Sequence, residues 1–390
     1  MDKINIAALT EYGLARTTAK EVKEFLGVES KINNSYVIFS IPNNKASLKK
    51  LFKFSVLAQS IKKIILLVDY FDYKDDDDLN KKIKSAVSNK VFDYWFSDKP
   101  KFYVRCMHRS KDIDSRDYEP VFGEIILNNY SGLKVSMENA DIKIIVFLDN
   151  NKAVFGIDMT RNDLSKREYK LSNSGKSVRG IVAYHLMRAI DYKEGEILVD
   201  PSSKTAEPVI EAALFVSKMN NYYESRFRCG QLKLFKDIDL DKIFTEIKEK
   251  AREKVKSLKK NIFAYSDLLK DTTYGRANAK VAGILGLIEF SKVSLDWLDA
   301  KFDKGNVDKI ITILPSESKT LSSKIVKKIY TEFLYQLDYV LKVTGKVGIL
   351  MQKPEKLIEL MNQKQKALKV QSSEKIIIGE LTLYCVIITK

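Results

Sequence analysis

The segment Leu198-Val-Asp-Pro-Ser-Ser-Lys-Thr-Ala-Glu-Pro-Val-Ile-Glu-Ala-Ala-Leu214 runs from an apolar strand end through Asp-Pro and a short turn into an apolar helix. That layout is the one found where a nucleotide cofactor meets the carboxyl edge of a parallel strand. The turn departs from it. Lys204, Thr205, Ala206 and Glu207 fill a place where such loops carry glycine. Glycine serves there because the backbone must approach a ligand with no Cβ in between, often at positive φ. The segment points to an α/β scaffold and raises the question of whether its edge still does chemistry.

From about Ile197 to the end, strand and helix patterns alternate. The strands are Ile197–Val199, Ile262–Tyr265, Leu287–Phe290, Lys309–Leu314, Val347–Met351 and Glu380–Ile388, with long helices such as Asp239–Leu258 and Ser322–Val343 between most of them. This alternation predicts a doubly wound, mostly parallel sheet with a ligand site at its carboxyl edge. Upstream, residues 1–73 read β-α-β-α-β: strand Ile4–Leu9, helix Gly13–Leu26, strand Ser35–Ile41, helix Ala46–Ile61 and strand Lys63–Tyr70. That order predicts a small ferredoxin-like α+β unit. A second small module follows over 74–160. The acidic run Asp72–Asp78 caps helix Leu79–Phe92; strand Lys101–His108 and a helix near Tyr118–Asn128 come next. Strands Ile142–Leu148 and Lys152–Ile157 then meet at the turn Asp149-Asn150-Asn151. Met159–Lys176 reads as a polar linker before helix Val178–Ile190.

Composition narrows the class. Hydrophobic residues at 45% and charged residues at 30% are those of a globular protein, and no apolar run reaches membrane-span length. The first residues lack the apolar core and cleavage site of a signal peptide. Cys106, Cys229 and Cys385 are few and far apart, which fits a reducing cytoplasm. The net charge is +16 from 67 basic and 51 acidic residues, concentrated in the second half: 33 basic and 28 acidic up to residue 200, then 34 and 23. A basic surface attracts polyanions, RNA first among them, although a lysine-rich surface can also be merely solvated.

Several motifs fail. Ser174-Gly-Lys-Ser177 resembles the end of a P-loop, but Lys170 stands at the required glycine. Cys106 and His108 have no partner pair for a metal, His185 being the only other histidine. Asp112, Asp114 and Asp117 are spaced like calcium ligands without the closing glycine and glutamate. No metal site is expected.

Three stretches together resemble the THUMP-domain tRNA methyltransferases, within them the guanine-N2 branch. They are Asn139–Asp158, similar to the last strands of a THUMP module; Asp163–Lys170 continuing into Ser177-Val-Arg-Gly-Ile-Val-Ala-Tyr-His-Leu-Met; and Asp200-Pro201 with Ile210-Glu-Ala-Ala-Leu214. Weaker similarity runs through Lys260–Tyr265, Ala277–Gly283, Ser294–Leu298 and Tyr330–Leu334 to a final hairpin. The resemblance implies an α+β N-terminal part, ferredoxin-like over 1–73 and THUMP over 74–160. A linker and connecting helix over 161–190 would then lead to an α/β Rossmann-like methyltransferase domain over 191–390, ending in an antiparallel hairpin. It implies tRNA as partner, S-adenosylmethionine as cofactor and a cytoplasmic location. Candidate RNA contacts are Arg105, Arg109, Arg116, Arg161, Lys166 and Arg167.

The chain departs from the family's motifs at three places. The two glycines of the cofactor loop fall on Lys204 and Ala206. The ribose-binding acid falls on Ser266, with Asp267 one place later. The Asn-Pro-Pro-Tyr loop, whose asparagine orients the target amine and whose aromatic ring stacks on the flipped-out base, falls on Ile313, Leu314, Pro315 and Ser316. Isoleucine accepts no hydrogen bond. Asp200, Pro201 and Asp296, the last where the family has an acid near the adenine, remain. The expectation is a catalytically impaired tRNA-binding paralogue, a pseudoenzyme that uses S-adenosylmethionine only if it is active after all and otherwise no cofactor, and that presents RNA to a protein partner subunit or protects it. The alternatives are an active, divergent S-adenosylmethionine-dependent tRNA methyltransferase and an assembly protein without an RNA role.

Overall fold

A computed structural model describes residues 2–109, 114–160, 162–171, 177–219, 230 and 232–390. Arg161, Asp112, Cys229 and residues 174–176 of the P-loop-like stretch lie outside the described residues. The chain divides into two compact units.

The first unit draws on residues 1–10, 18–164 and 223–244. Its elements are β1 (Lys3–Leu9), α1 (Ala15–Leu26), β2 (Lys31–Ile32), β3 (Tyr36–Pro42), α2 (Lys45–Leu57), β4 (Lys63–Asp72), α3 (Asp76–Val87), α4 (Lys90–Phe96), β5 (Lys101–His108), α5 (Ser115–Asn129), β6 (Lys134–Val135), β7 (Ile142–Asp149) and β8 (Lys152–Asp158). The strands form one sheet in the order β2-β3-β1-β4-β8-β7-β5-β6. β4 joins the two expected modules, pairing antiparallel with β1 on one side and with β8 on the other. The acidic run does cap a helix: Asp75 accepts the Asp78 N–H at 2.8 Å. The expected helix Leu79–Phe92 is two helices. Asn89 starts the second by accepting the Val91 N–H at 2.8 Å, which breaks the first helix before it. Asn150 and Asn151 make the β7–β8 turn at φ 49° and 59°, values asparagine tolerates.

The second unit draws on residues 11–17, 165–222 and 245–390. Its elements are α6 (Gly180–Ala189), β9 (Leu198–Asp200), α7 (Glu207–Ser217), α8 (Leu240–Ser257, whose first turn belongs to the first unit), β10 (Ile262–Ser266), α9 (Leu269–Val281), β11 (Ile288–Lys292), β12 (Val307–Ile313), α10 (Ser323–Val340), β13 (Leu341–Met351), α11 (Glu355–Lys364), β14 (Lys369–Ile378) and β15 (Leu381–Thr389). The sheet order is β11-β10-β9-β12-β13-β15-β14. β9 to β13 are parallel to one another, and β15 pairs antiparallel with β13 and β14. The expected fold class holds: an α+β N-terminal part, then a doubly wound, mostly parallel sheet closed by an antiparallel hairpin. The strand order reverses beside β9, between β10 and β12. Residues at the carboxyl ends of β9, β10, β11 and β12 therefore line one crevice edge.

Residues 11–17 precede most of the first unit in sequence yet pack in the second. Tyr12 bridges to Ile377 of β14, Arg179 reaches Glu11 at 2.5 Å, and Thr17 shares a 2.7 Å hydrogen bond with buried His185. Gly13 has φ +93°, and any Cβ there would meet the Lys375 carbonyl. Only glycine suits that close approach.

Candidate functional site

Asp200 ends β9 and is 2% exposed. It accepts the Ser202 N–H at 3.2 Å, which caps the turn. Burial pushes its carboxyl up to about 7, because a charge there loses its hydration; the Ser202 N–H works in the other direction. Pro201 follows, and the Ser203 N–H donates to the Tyr265 carbonyl of β10 at 2.7 Å, tying the loop to the neighbouring strand.

The four residues that replace the glycine turn are held by internal contacts. The Lys204 ammonium lies 3.3 Å from Asp271 Oδ2 and 3.8 Å from Asp267 Oδ1. The Thr205 hydroxyl donates to Glu207 Oε2 at 2.6 Å, and the Thr205 carbonyl accepts from Asn278 Nδ2 at 3.0 Å. Ala206 sits in the left-handed region at φ 65°, so one of the two glycine positions keeps a glycine-like backbone; Lys204 has no positive φ. Glu207 is buried, with Lys170 Nζ at 3.2 Å and the Ser177 hydroxyl at 2.5 Å.

Ser266 ends β10, buried, and donates to Asp271 Oδ2 at 3.0 Å. Asp267 is exposed. The acid that faces the loop most closely is Asp271, buried in the first turn of α9, which sequence reasoning missed. Its signal was only a carboxylate one helical turn past the strand end, where it favours the helix N-terminus. Asp296 lies in a short 3-10 turn, Leu295–Trp297, beyond β11. Its carboxylate is exposed and its carbonyl accepts from Gln336 Nε2 at 3.0 Å.

On β12, Ile313 is half-buried against the apolar core and Leu314 is buried, its N–H bonded to the Leu350 carbonyl at 3.1 Å. The Pro315 carbonyl accepts the Tyr330 hydroxyl at 2.7 Å, and Ser316 is half-buried. The sheet thus brings Asp200, Pro201, Ser266, Asp267, Asp296 and Ile313 to Ser316 to one edge. At this edge the turn carries no glycine, and Ser266 rather than an acid ends β10. A lysine side chain spans from the turn to the carboxylate nearest the end of β10, and no side chain from 313 to 316 other than the Ser316 hydroxyl offers an acceptor to an amine.

The RNA-contact candidates divide. Arg105 is exposed beside Glu119 at 3.4 Å, and Arg109 is partly exposed beside Asp149 at 3.6 Å. Arg116 is fully exposed and grips Asp114 through Nε and Nη2, at 3.0 Å and 2.6 Å, holding that carboxyl down at about 2. Lys166 is exposed. Arg167 is a correction. Its side chain is 0% exposed, with Nε 2.7 Å and Nη2 3.0 Å from the two oxygens of Glu211, itself 0% exposed. The Tyr169 hydroxyl completes the set at 2.8 Å. The guanidinium turns inward because Glu211, in the middle of apolar α7, needs a buried counter-charge. Gly180 makes room for this pair, since a Cβ there would lie 2.6 Å from both Arg167 Nε and Glu211 Oε1.

Among the described residues no helix is long and apolar enough to cross a membrane. The family described as RMKL-like, methyltransferase domain, matches residues 167–382, and the THUMP domain matches 73–158. The chain is 28% identical over 354 residues to a tRNA (guanine(6)-N2)-methyltransferase of Methanocaldococcus jannaschii, covering 87% of this chain and 88% of that protein. It is 24% identical over 292 residues to a ribosomal RNA large subunit methyltransferase K/L of Vibrio parahaemolyticus, covering 73% of this chain but only 40% of that protein. A solved structure from Clostridium difficile 630, titled a possible methylase, superposes with TM-score 0.78 at 21% identity, covering 99% of this chain and 98% of that one. SMU.472 complexed with SAH superposes with TM-score 0.76 at 16% identity, again covering 99% and 98%. At these identities the structural likeness speaks for the fold.

Proposed function

This chain belongs to the RMKL-like methyltransferase domain family and carries a THUMP domain, and on that premise we propose that it acts on tRNA as a binding protein whose methyltransferase site is impaired. The tRNA part rests on the THUMP domain, the near full-length relationship to the M. jannaschii tRNA methyltransferase and the +16 charge. The impairment is carried by one observation: Lys204 reaches Asp271 across the place where a glycine turn would admit a cofactor. The same edge lacks the orienting asparagine, and losing such a group costs orders of magnitude in rate.

A second reading is an active, divergent S-adenosylmethionine-dependent tRNA (guanine-N2) methyltransferase. The comparisons taken alone favour it, since the relative matched over 87% of this chain is named for that activity and a structure sharing the fold is complexed with SAH. Under that reading Lys204 swings away when cofactor enters. A protein partner subunit and a cytoplasmic location complete the proposal. The test is transfer of label from S-adenosylmethionine to tRNA by the purified chain, alongside calorimetry with the cofactor. Incorporation at a rate near that of a working enzyme, on the order of 1 per second or more, overturns the impaired reading. Absence of both heat and label at millimolar cofactor overturns the active one.

A further inference from the structure

Helix α10 follows directly from the loop at the end of β12 and shows an unusual outer face. Lys324, Lys327 and Lys328 are exposed, and among the described residues they form no ion pair. Lys324 and Lys328 are one turn apart. Tyr335 continues the same ridge two turns further on and is 54% exposed. Two of the acidic groups nearby are paired elsewhere, Glu317 with Lys356 and Asp338 with Lys390 at 3.3 Å. Glu332, one turn beyond Lys328, accepts a hydrogen bond from the neutral Gln336 Nε2 at 3.2 Å. The ridge therefore offers three lysines against one glutamate at one end and a bare aromatic ring at the other. A duplex needs only the cations. A ring standing in water beside them matches a strand with unpaired bases, where lysines neutralise phosphates and the ring stacks on a base.

We propose that the Lys324–Lys328–Tyr335 ridge of α10 binds a single-stranded segment of RNA and guides it along the second unit. This rests on the tRNA-binding reading above and extends it to a surface of the methyltransferase unit that involves none of the motif positions. The experiment uses the full chain, whole tRNA and a labelled oligouridylate, with affinity measured by anisotropy over a range of potassium chloride concentrations. Melting curves establish that each variant is folded.

K324A/K327A/K328A is expected to reduce the slope of log affinity against log salt by about 2, near 0.7 for each lost single-strand phosphate contact. Y335A is expected to weaken oligouridylate binding roughly fivefold or more, while Y335F stays close to wild type. K256A/K259A/K260A, which removes three exposed lysines of the same unit, is expected to leave the slope unchanged. If the chain binds tRNA with the same slope after the α10 substitutions, or if the control lowers it equally, the ridge is not an RNA surface; an acidic protein partner would give the first result. If the chain binds no tRNA at all, the tRNA reading fails and takes the ridge proposal with it.

Discussion

Replacing Arg167 with methionine separates an internal brace from an RNA contact. Both partners of the Arg167–Glu211 pair are 0% exposed, and the substitution removes the two hydrogen bonds from Arg167 to Glu211, which keeps the one from the Tyr169 hydroxyl. Removing one member of a buried, doubly hydrogen-bonded pair costs about 3–5 kcal/mol, because the other charge stays buried without its counter-ion. For a unit of some two hundred residues that corresponds to a melting shift of roughly 10 °C. R167M/E211M removes both charges and replaces them with apolar side chains. It is expected to lie well above either single variant, since well-packed apolar substitutes for a buried pair are often neutral or better. The assay is thermal and urea unfolding of the four proteins of the cycle, with a coupling of about 3 kcal/mol or more between the sites. In the folded range the salt slope of tRNA binding should be unchanged by R167M. A variant within about 1 kcal/mol of wild type whose salt slope falls by about 1 would refute the reasoning and return Arg167 to the RNA surface.

Further outcomes follow from the same geometry. K204G/A206G removes the lysine that spans to Asp271 and restores two glycines to the turn; millimolar S-adenosylmethionine should then raise its melting temperature while leaving wild type unmoved, and an equal shift in both contradicts the blocking role. The raised Asp200 carboxyl keeps its proton in the folded state after the unfolded chain has lost its own. Its contribution to stability is thus fully present below about pH 4 and lost as pH rises to about 7, and D200N should flatten that dependence in melts at pH 5 and pH 8. Gly180→Ala forces a Cβ onto the Arg167–Glu211 pair and should cost about 1–3 kcal/mol in urea unfolding, which a neutral result would dispute.

The sheet of the second unit was legible because β12 carries the β-branched run Ile310-Ile-Thr-Ile313 and helices α8 and α10 are long and amphipathic. The hairpin was half legible. β14 exposes alternate residues through Lys369-Val-Gln-Ser-Ser-Glu-Lys, so its first part carries no apolar signal as the sheet's last strand. Leu341 to Val343 continued a helical pattern in sequence, yet they open β13, where helix propensity gives way to pairing with β12. At the site, substituted motif positions were readable one by one, whereas their new partners were not. Lys204 with Asp271 and Arg167 with Glu211 are separated by 67 and 44 residues, and only the fold brings them together. A glutamate inside Ile-Glu-Ala-Ala-Leu was nonetheless a usable clue, since an acid amid core residues must find a cation.

Residues 11–17 and the hairpin of β14 and β15 meet although more than 350 positions part Tyr12 from Ile377. During synthesis the first of these segments leaves the ribosome well before its seat is made. At roughly 5–20 residues per second, Tyr12 waits on the order of half a minute for β14. The second unit therefore cannot close co-translationally as a single stretch, and its final docking is a long-range event of the slow kind set by contact order. Cutting the gene ahead of the methyltransferase homology would not liberate an independent half; it would leave the floor beside His185 and Lys375 uncovered.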